Sequence, residues 1–476
     1  MYQHGIRVEE VATSVPRPSE SLSGIPVIFG TAPVNLTDNP SANRLVYAGN
    51  YTEAVQALGY SEDFEKYTLC QSIYAHFKKY KIAPVIFVNV LDPDKHTAEV
   101  SEASYAVTNN QTVVNVEGLL LKTLVVKNGE DELLPDTDYI ATFNEDGYVL
   151  LTFVSSTVVS VKVSGKKIDA TKVTEADIIG AYDEETGKET GLELIRQVFP
   201  SYGVYPGMIV APGWSKKKNV AAVMEAKCEK INGCFSCMAV IDVDTALATK
   251  YTDVANVKTN TGVSGASTML VWPMVKCDQL VLSYSAVLAA RTQAADSEND
   301  GVPANPSNKA LNIDAICLAD GTEVVLDETQ ANTLNAEGVI TAVNFNGFKT
   351  WGNNTAGYPA VTDPKDRWIG CRRFFSWWEN NFIVSYHDKI DSNADYRLIE
   401  SIVDAENIKG NSYKARGKCA GAYIEFNKDE NTTASIIDGH MVFKMHLAPY
   451  TPAEDILNVF EFDVDALNAG FEGGEE

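Results

Sequence analysis

An α/β fold of several domains is predicted by three features of this sequence. Short apolar strands alternate with helical periodicities near the start; the pattern then changes to strand-like alternation punctuated by turns; and the first pattern resumes afterwards. At 476 residues the chain is about three times the length of an average domain, so a sizeable core is expected.

Residues 25–97 open the α/β part. IPVIFG is a short apolar strand, and Asp63 to Lys81 places Phe64, Tyr67, Cys70, Tyr74 and Phe77 at helical steps. PVIFVNVL then supplies a second, nearly continuous apolar strand, as in a sheet covered on both faces. From 98 to 175 the segments TVVNVEG, LKTLVVKNGED, DYIATFNEDGYVLLTF and VVSVKVSGKK alternate. With Asn128-Gly129 and Asp146-Gly147 as hairpin signals, they read as an inserted all-β domain. Residues 176–350 return to the first pattern, with the helix-like TGLELIRQVF, the strand GMIVAP, a helix from Lys218 to Ile231, and the strands SCMAVIDV and TMLVWP. The two α/β pieces are expected to share one discontinuous sheet. Residues 351–450 form an α+β C-terminal domain, with helices around Arg372 to Tyr386 and Ala394 to Asn407, then the strands YIEFN and MVFKMHLAPY. The ends, 1–24 and 451–476, carry the strand-like GIRVEEVATSV and VFEFDVDAL; the final 23 residues hold eight acidic side chains and no basic one.

The formal charge of −25 argues against nucleic acid or anionic lipid as a partner, because phosphate neutralisation needs clustered Lys and Arg. Self-association or a basic partner fits better. No run approaches the roughly 18 apolar residues of a spanning helix, and the N-terminus lacks the apolar core of a signal peptide, so synthesis and retention in a cytoplasm are expected. Eight scattered cysteines read as thiols rather than a disulfide frame.

Catalytic chemistry has few candidates. Asp242 and Asp244 in VIDVDT stand at the end of an apolar strand, where open α/β sheets gather ligand groups. Aspartate-nucleophile phosphotransferases begin similarly but have one further residue before the Thr, and no downstream Lys and acidic pair matches; Asp244 as a helix N-cap is the plainer reading. Cys228, Cys234 and Cys237 form C-x5-C-x2-C without the second knuckle of a structural zinc site. The six histidines (His4, His76, His96, His387, His440, His446) show no metal-ligand spacing. The glycine-bearing TNTGVSGAS lacks the Lys of a phosphate loop. No metal, no cofactor and no enzymatic activity are expected.

Three blocks carry a family resemblance: VPANPSNKAL (Val302 to Leu311), ANTLNAEGVITAVNFNGFKTWGNNTA (Ala331 to Ala356) and RWIGCRRFFSWWENNFI (Arg367 to Ile383). In this order, with Pro-Ser-Asn-Lys at 306–309, Leu334-Asn335, Gly338-Val339-Ile340, Trp351-Gly352-Asn353 and the Arg372-Arg373 pair, the chain resembles the tail sheath proteins of contractile phage tails and related bacteriocins. HGIRVEE and SGIPVIFGTAP look like the sheath N-terminus. Departures are Asn354, where an Arg is common, and Cys371 before the arginines.

The resemblance implies a non-enzymatic subunit. It would stack as hexameric rings around an inner tube and shorten on a baseplate signal, driving the tube through a cell envelope. The implied partners are further copies of itself, the inner tail tube protein, and baseplate and tail terminator proteins. The implied setting is synthesis in a bacterial host cytoplasm and assembly into a phage tail or tailocin particle. A sheath from a bacterial secretion or extracellular injection system is the alternative; an α/β enzyme using Asp242 and Asp244 is a remote one.

A mesh that survives large subunit movements needs connections that bend without letting go, which strand addition supplies. Ile6, Val8 and Val11 at one end, and Val459, Phe460, Phe462 and Val464 at the other, are the expected strand-donating arms. Arg372 and Arg373 are expected to pair with carboxylates. Lys409, Lys414, Arg416 and Lys418, in a segment from Asn407 to Gly421 without acidic residues, are the candidate tube contact, with the 351–450 domain nearest the tube and the β insertion on the outer surface.

Overall fold

The computed structural model describes residues 19–20 and 23–472. Its centre is an eight-stranded sheet. The strands are β1 (Pro26–Gly30), β2 (Leu45–Ala48), β3 (Val85–Asn89), β4 (Met208–Val210), β5 (Met238–Asp242), β6 (Thr268–Val271), β7 (Val339–Asn344) and β8 (Phe348–Trp351). Their order across the sheet is β8-β7-β6-β5-β4-β1-β3-β2. The six inner strands are parallel, and β8 and β2 run antiparallel at the edges. Every residue of β1, β3, β4, β5 and β6 is buried, which is why these strands read as unbroken apolar runs. β1 pairs with β4 at Val27 and Ile209, so strands separated by more than a hundred residues meet at the centre.

Helices cover the sheet: α1 (Tyr51–Leu58), α2 (Leu69–Ile73), α3 (Lys218–Ala226), α4 (Val254–Thr261) and α5 (Tyr284–Glu298). The amphipathic run from Asp63 is not one helix. α2 is short and passes into a π-helical turn over Tyr74–Tyr80, where buried His76 is bonded through Nδ1 to the Ser72 carbonyl at 2.9 Å. α5 packs against β4 and β5 and is buried from Tyr284 to Asp296.

Between β3 and β4 the chain builds two small antiparallel sheets of three and four strands. They enclose an apolar cluster of their own, including Val126, Tyr139, Leu151, Phe153 and Val161. Gly129 and Gly147 take positive φ in the two hairpin turns. The main apolar cluster nevertheless takes in Leu120, Ile168 and Val173, so the junction follows the packing better near residue 168 than at 175. Replacing residues 98–167 by a short Gly/Ser linker should leave a soluble chain with the main sheet intact, at a cost of about 2–4 kcal/mol, chiefly from loss of the Leu120 side chain. Denaturant unfolding measures that cost, and failure to obtain soluble protein would mean that the insertion helps to fold the core.

The C-terminal part holds α6 (Ile369–Tyr386) and α7 (Tyr396–Ala415), then an antiparallel pair, Gly421–Glu425 with Lys444–Ala448. Phe374, Trp377 and Trp378 of α6 form a third cluster with Cys419 and Ala422, and Tyr413 packs on it. Gly410 lets α7 touch the strand: a Cβ there would stand 2.1 Å from the Ala422 carbonyl oxygen. The tail beyond Tyr450 has no regular structure until α8 (Val464–Glu472).

Candidate assembly interface

The C-terminal tail exposes what a folded chain ordinarily buries. Val459, Phe460 and Phe462 are 78%, 89% and 73% exposed, and Ile456, Leu457, Val464, Leu467 and Phe471 are exposed with them. The backbone from Thr451 to Asp463 is irregular and pairs with no strand among the described residues. The strand-like alternation of VFEFDVDAL does not persist to its end. Asp463 accepts a hydrogen bond from the Ala466 amide at 2.9 Å and caps α8, so Val464 begins a helix in the isolated chain. The alternation misled because Val464, Leu467 and Phe471 also satisfy a helical period. Ile6, Val8 and Val11 lie outside the described residues.

The strand pair Gly421–Glu425 and Lys444–Ala448 has two unequal edges. Asn407 of α7 closes the first, donating Nδ2 to the Ile424 carbonyl at 3.2 Å and accepting from the Ile424 amide at 2.9 Å. The other edge, Lys444–Ala448, pairs with no further strand among the described residues. A two-stranded ribbon is marginal by itself and offers free backbone groups.

The basic segment is partly occupied. Asn407 to Ala415 is the end of α7, which runs past its expected end near Asn407 because the apolar spacing that opens the helix continues into it. Lys409 pairs with buried Glu406 at 3.2 Å and lies 4.7 Å from the Trp378 ring centre. Lys418 pairs with Asp300 at 2.8 Å. Arg416 stacks on Tyr413 with its side chain exposed, and Lys414 is exposed in the last turn, where its charge complements the helix dipole.

The two arginines differ. Arg373 is 3% exposed and makes a bidentate pair with Asp296 of α5, whose side chain is 0% exposed; Nη1 donates to Oδ1 at 3.0 Å and Nη2 to Oδ2. Ser23 and the Ala304 amide donate to the same carboxylate. Arg372 bridges Asp366 at 3.1 Å and Glu379 at 3.3 Å, near the surface.

The three blocks that carry the resemblance meet at one place. Ser307 Oγ accepts from the Gly352 amide, Trp351 Nε1 donates to Asn332, and Asn354 Nδ2 donates to the Asn335 carbonyl, at 3.0, 3.0 and 3.1 Å. Gly352 has φ +136°, and a Cβ there would lie 2.5 Å from Asn335 Oδ1. These groups wall a polar cleft of about 620 Å³ into which Pro452 to Asp455 also reach.

The strand-end carboxylates are built into the fold. Asp242 accepts from the Ser285 amide at 2.9 Å, from Ser285 Oγ at 2.5 Å and from Ser215 Oγ at 2.9 Å. Burial raises its pKa above the ordinary carboxylate range, against the pull of those hydrogen bonds. It ties the loop after β4 to the start of α5. Asp244 accepts from the Ala246 amide at 3.0 Å and closes a turn; no helix begins there, since α4 starts ten residues later. Cys228 and Cys237 are buried and Cys234 is exposed. Among the described residues no group of three or more His, Cys, Asp or Glu side chains is placed to hold a metal ion, and no helix is long and apolar enough to cross a membrane.

No protein-family model matches the chain. It is 24% identical to the tail sheath protein of Burkholderia phage BcepMu, over 95% of each chain. It is 25% identical to the tail sheath protein of Escherichia phage P2, over 60% of this chain and 69% of the relative. Among solved structures, a chain of the anti-feeding prophage baseplate superposes with a TM-score of 0.59 at 14% identity, covering 98% of this chain and 100% of that one. A chain of the contracted PVC sheath complex, from an extracellular contractile injection system, gives 0.57 at 14% identity, covering 98% and 99%. The mixed α/β, multi-sheet architecture is thus that of contractile-system proteins. The chain is a homologue of the phage tail sheath proteins and a structural subunit of a contractile sheath.

Proposed function

We propose that this chain polymerises as stacked hexameric rings around an inner tube and shortens to drive the tube through a cell envelope, with the C-terminal arm joining neighbours. The observation that carries this reading is the exposed apolar run from Ile456 to Val464, which the described residues of its own chain leave uncovered. A second copy would cover it by taking residues 459–462 as an added strand on the Lys444–Ala448 edge; the amides and carbonyls that pair there are the same for any arm orientation. The N-terminal arm is proposed as a second connector of the same kind. The chain acts mechanically rather than as an enzyme, and the buried, fully engaged Asp242 supports that reading over a catalytic one. A phage-type tail is favoured over an extracellular injection system because the BcepMu relative is 24% identical along 95% of each chain, against 14% identity for the injection-system chains. Baseplate and terminator proteins complete the proposed set of partners, and the particle is assembled in a bacterial host. Co-expression with the tube protein, followed by negative-stain microscopy, should give hollow striated cylinders; closed small oligomers would defeat the reading.

Contact with the tube is assigned to the end of α7. With Lys409 and Lys418 engaged internally, Lys414 and Arg416 are the basic groups of this segment that face solvent, in a chain of net charge −25. Screened rim contacts suit a sheath that must release its tube. Reversal to Lys414→Glu with Arg416→Glu should leave the fold intact, since neither side chain is buried, and should loosen extended sheath from tube. Sheaths of the double variant that stay extended on tubes across a range of salt would instead fit a role in balancing an acidic neighbour.

A further inference from the structure

We infer that the start of α6 is a mechanical node at which both connector arms are anchored beside arginines six residues apart, Arg367 just before the helix and Arg373 within it. This rests on the reading of the termini as connectors. Arg367, just before α6, stacks on Trp368 and Tyr358 with its guanidinium carbon 4.0 and 4.4 Å from the ring centres, and its Nε donates to Asn354 Oδ1 at 2.9 Å. So positioned, it faces Glu454 at 3.7 Å, and Asn353 Nδ2 reaches the same carboxyl group at 3.5 Å. Asn353 is buried with its Oδ1 unpartnered and lines the polar cleft, so the cleft has hydrogen-bonding capacity that its own walls do not use.

Among the described residues Glu454 is the last side chain of the tail with a polar contact to the body; all residues from Asp455 to Phe471 are exposed. The carboxylate therefore marks where the arm leaves, and the three sequence blocks build the socket that receives it. Near the other end, the segment entering β1 is held to the body at Ser19–Glu20, which pair in parallel with Ile82–Ala83, and again at Ser23. Ser23 donates to Asp296 at 3.1 Å, and that carboxylate is the one held by Arg373. Gly24 passes so close that a Cβ would stand 2.8 Å from Asp296 Oδ2 and 3.1 Å from Arg373 Nη2. Arg367, at the end of a short helical turn (Pro364–Arg367), and Arg373, in α6, are thus six residues apart, one at the C-terminal arm root and one beside the segment entering β1. A pull on either arm is delivered to the same helix and from there, through Asp296, to α5 beneath the main sheet. Rotation of the arms about fixed roots would let subunits move while staying joined.

The test is hydrogen exchange on the full-length soluble chain, with sheath yield measured separately. Glu454→Gln keeps size and removes the charge at an exposed position, so the fold is not at risk. Exchange at residues 451–456 should rise at least threefold, with the 421–425 and 444–448 strands unchanged, and Ser23→Ala should do the same for residues 23–26. Asn353→Asp, which sets a like charge against Glu454, should reproduce the first effect, and sheath yield should fall in all three variants. Unchanged exchange at both roots overturns the node, whatever the arms do. A chain ending at Asp455 that still forms sheaths overturns the connector reading instead, and exchange then decides the socket independently.

Discussion

A chain that ends at Asp455 remains a folded monomer and forms no sheath. The residues removed contribute nothing to the three apolar clusters, and the polar contact at Glu454 is kept, so stability of the monomer changes little. What is lost is Val459, Phe460 and Phe462, together with Ile456 and Leu457. Burying a side chain of this kind contributes about 1.5–3 kcal/mol, so three of them supply about 5–9 kcal/mol of gross association energy before ordering costs. A deficit of that size moves assembly by several orders of magnitude in concentration. Sedimentation should show a monomer with the unfolding midpoint of the parent, and microscopy should show bare tubes. Full-length sheaths from this truncation would mean that the arm connects nothing.

The second large effect is expected inside the subunit. Arg373→Ala should destabilise the monomer by about 3–5 kcal/mol, because it leaves Asp296 as an uncompensated charge in a fully buried site while Ser23 and the Ala304 amide alone cannot balance it. Arg372→Ala, whose side chain is 13% exposed against 3% for Arg373 and faces partners near the surface, should cost about 1 kcal/mol or less. Replacing the pair by apolar residues of similar volume, Arg373→Met with Asp296→Leu, should recover most of the loss, since the desolvation cost of both charges disappears together. Denaturant unfolding of the soluble chain reads all three. Equal losses for Arg372→Ala and Arg373→Ala would show that burial does not set the strength of these pairs.

Much of the architecture is legible locally. The inner strands appear as continuous apolar runs because helices cover both faces of the sheet, and the hairpins of the insertion are announced by glycines that take positive φ. The three blocks around Lys309, Trp351 and Arg372 carry the family likeness as residue order alone. Two local readings failed for a common reason. The helix expected to end near Asn407 runs on to Ala415, where Gly410 packs it against Ala422. The run VFEFDVDAL alternates like a strand, yet Asp463 caps a helix at Val464. In both, one local pattern is compatible with two structures, and a distant contact or a capping bond selects between them.

The partners of the charged residues were beyond any local reading. Arg373 meets Asp296 across 77 positions of sequence, and Glu454 meets Asn353 across 101. Residue type told that Arg372 and Arg373 would seek carboxylates, but not that one pair would be sealed against α5 beside Ser23 and the other left near water. Apolar periodicity, turn glycines and block order were sufficient for the fold class and the kind of protein, because each depends on residues a few positions apart. Which edge stays open, which lysines are already engaged and where the tail leaves the body were decided only in three dimensions, because burial and ion pairing depend on chain segments that sequence spacing does not bring together.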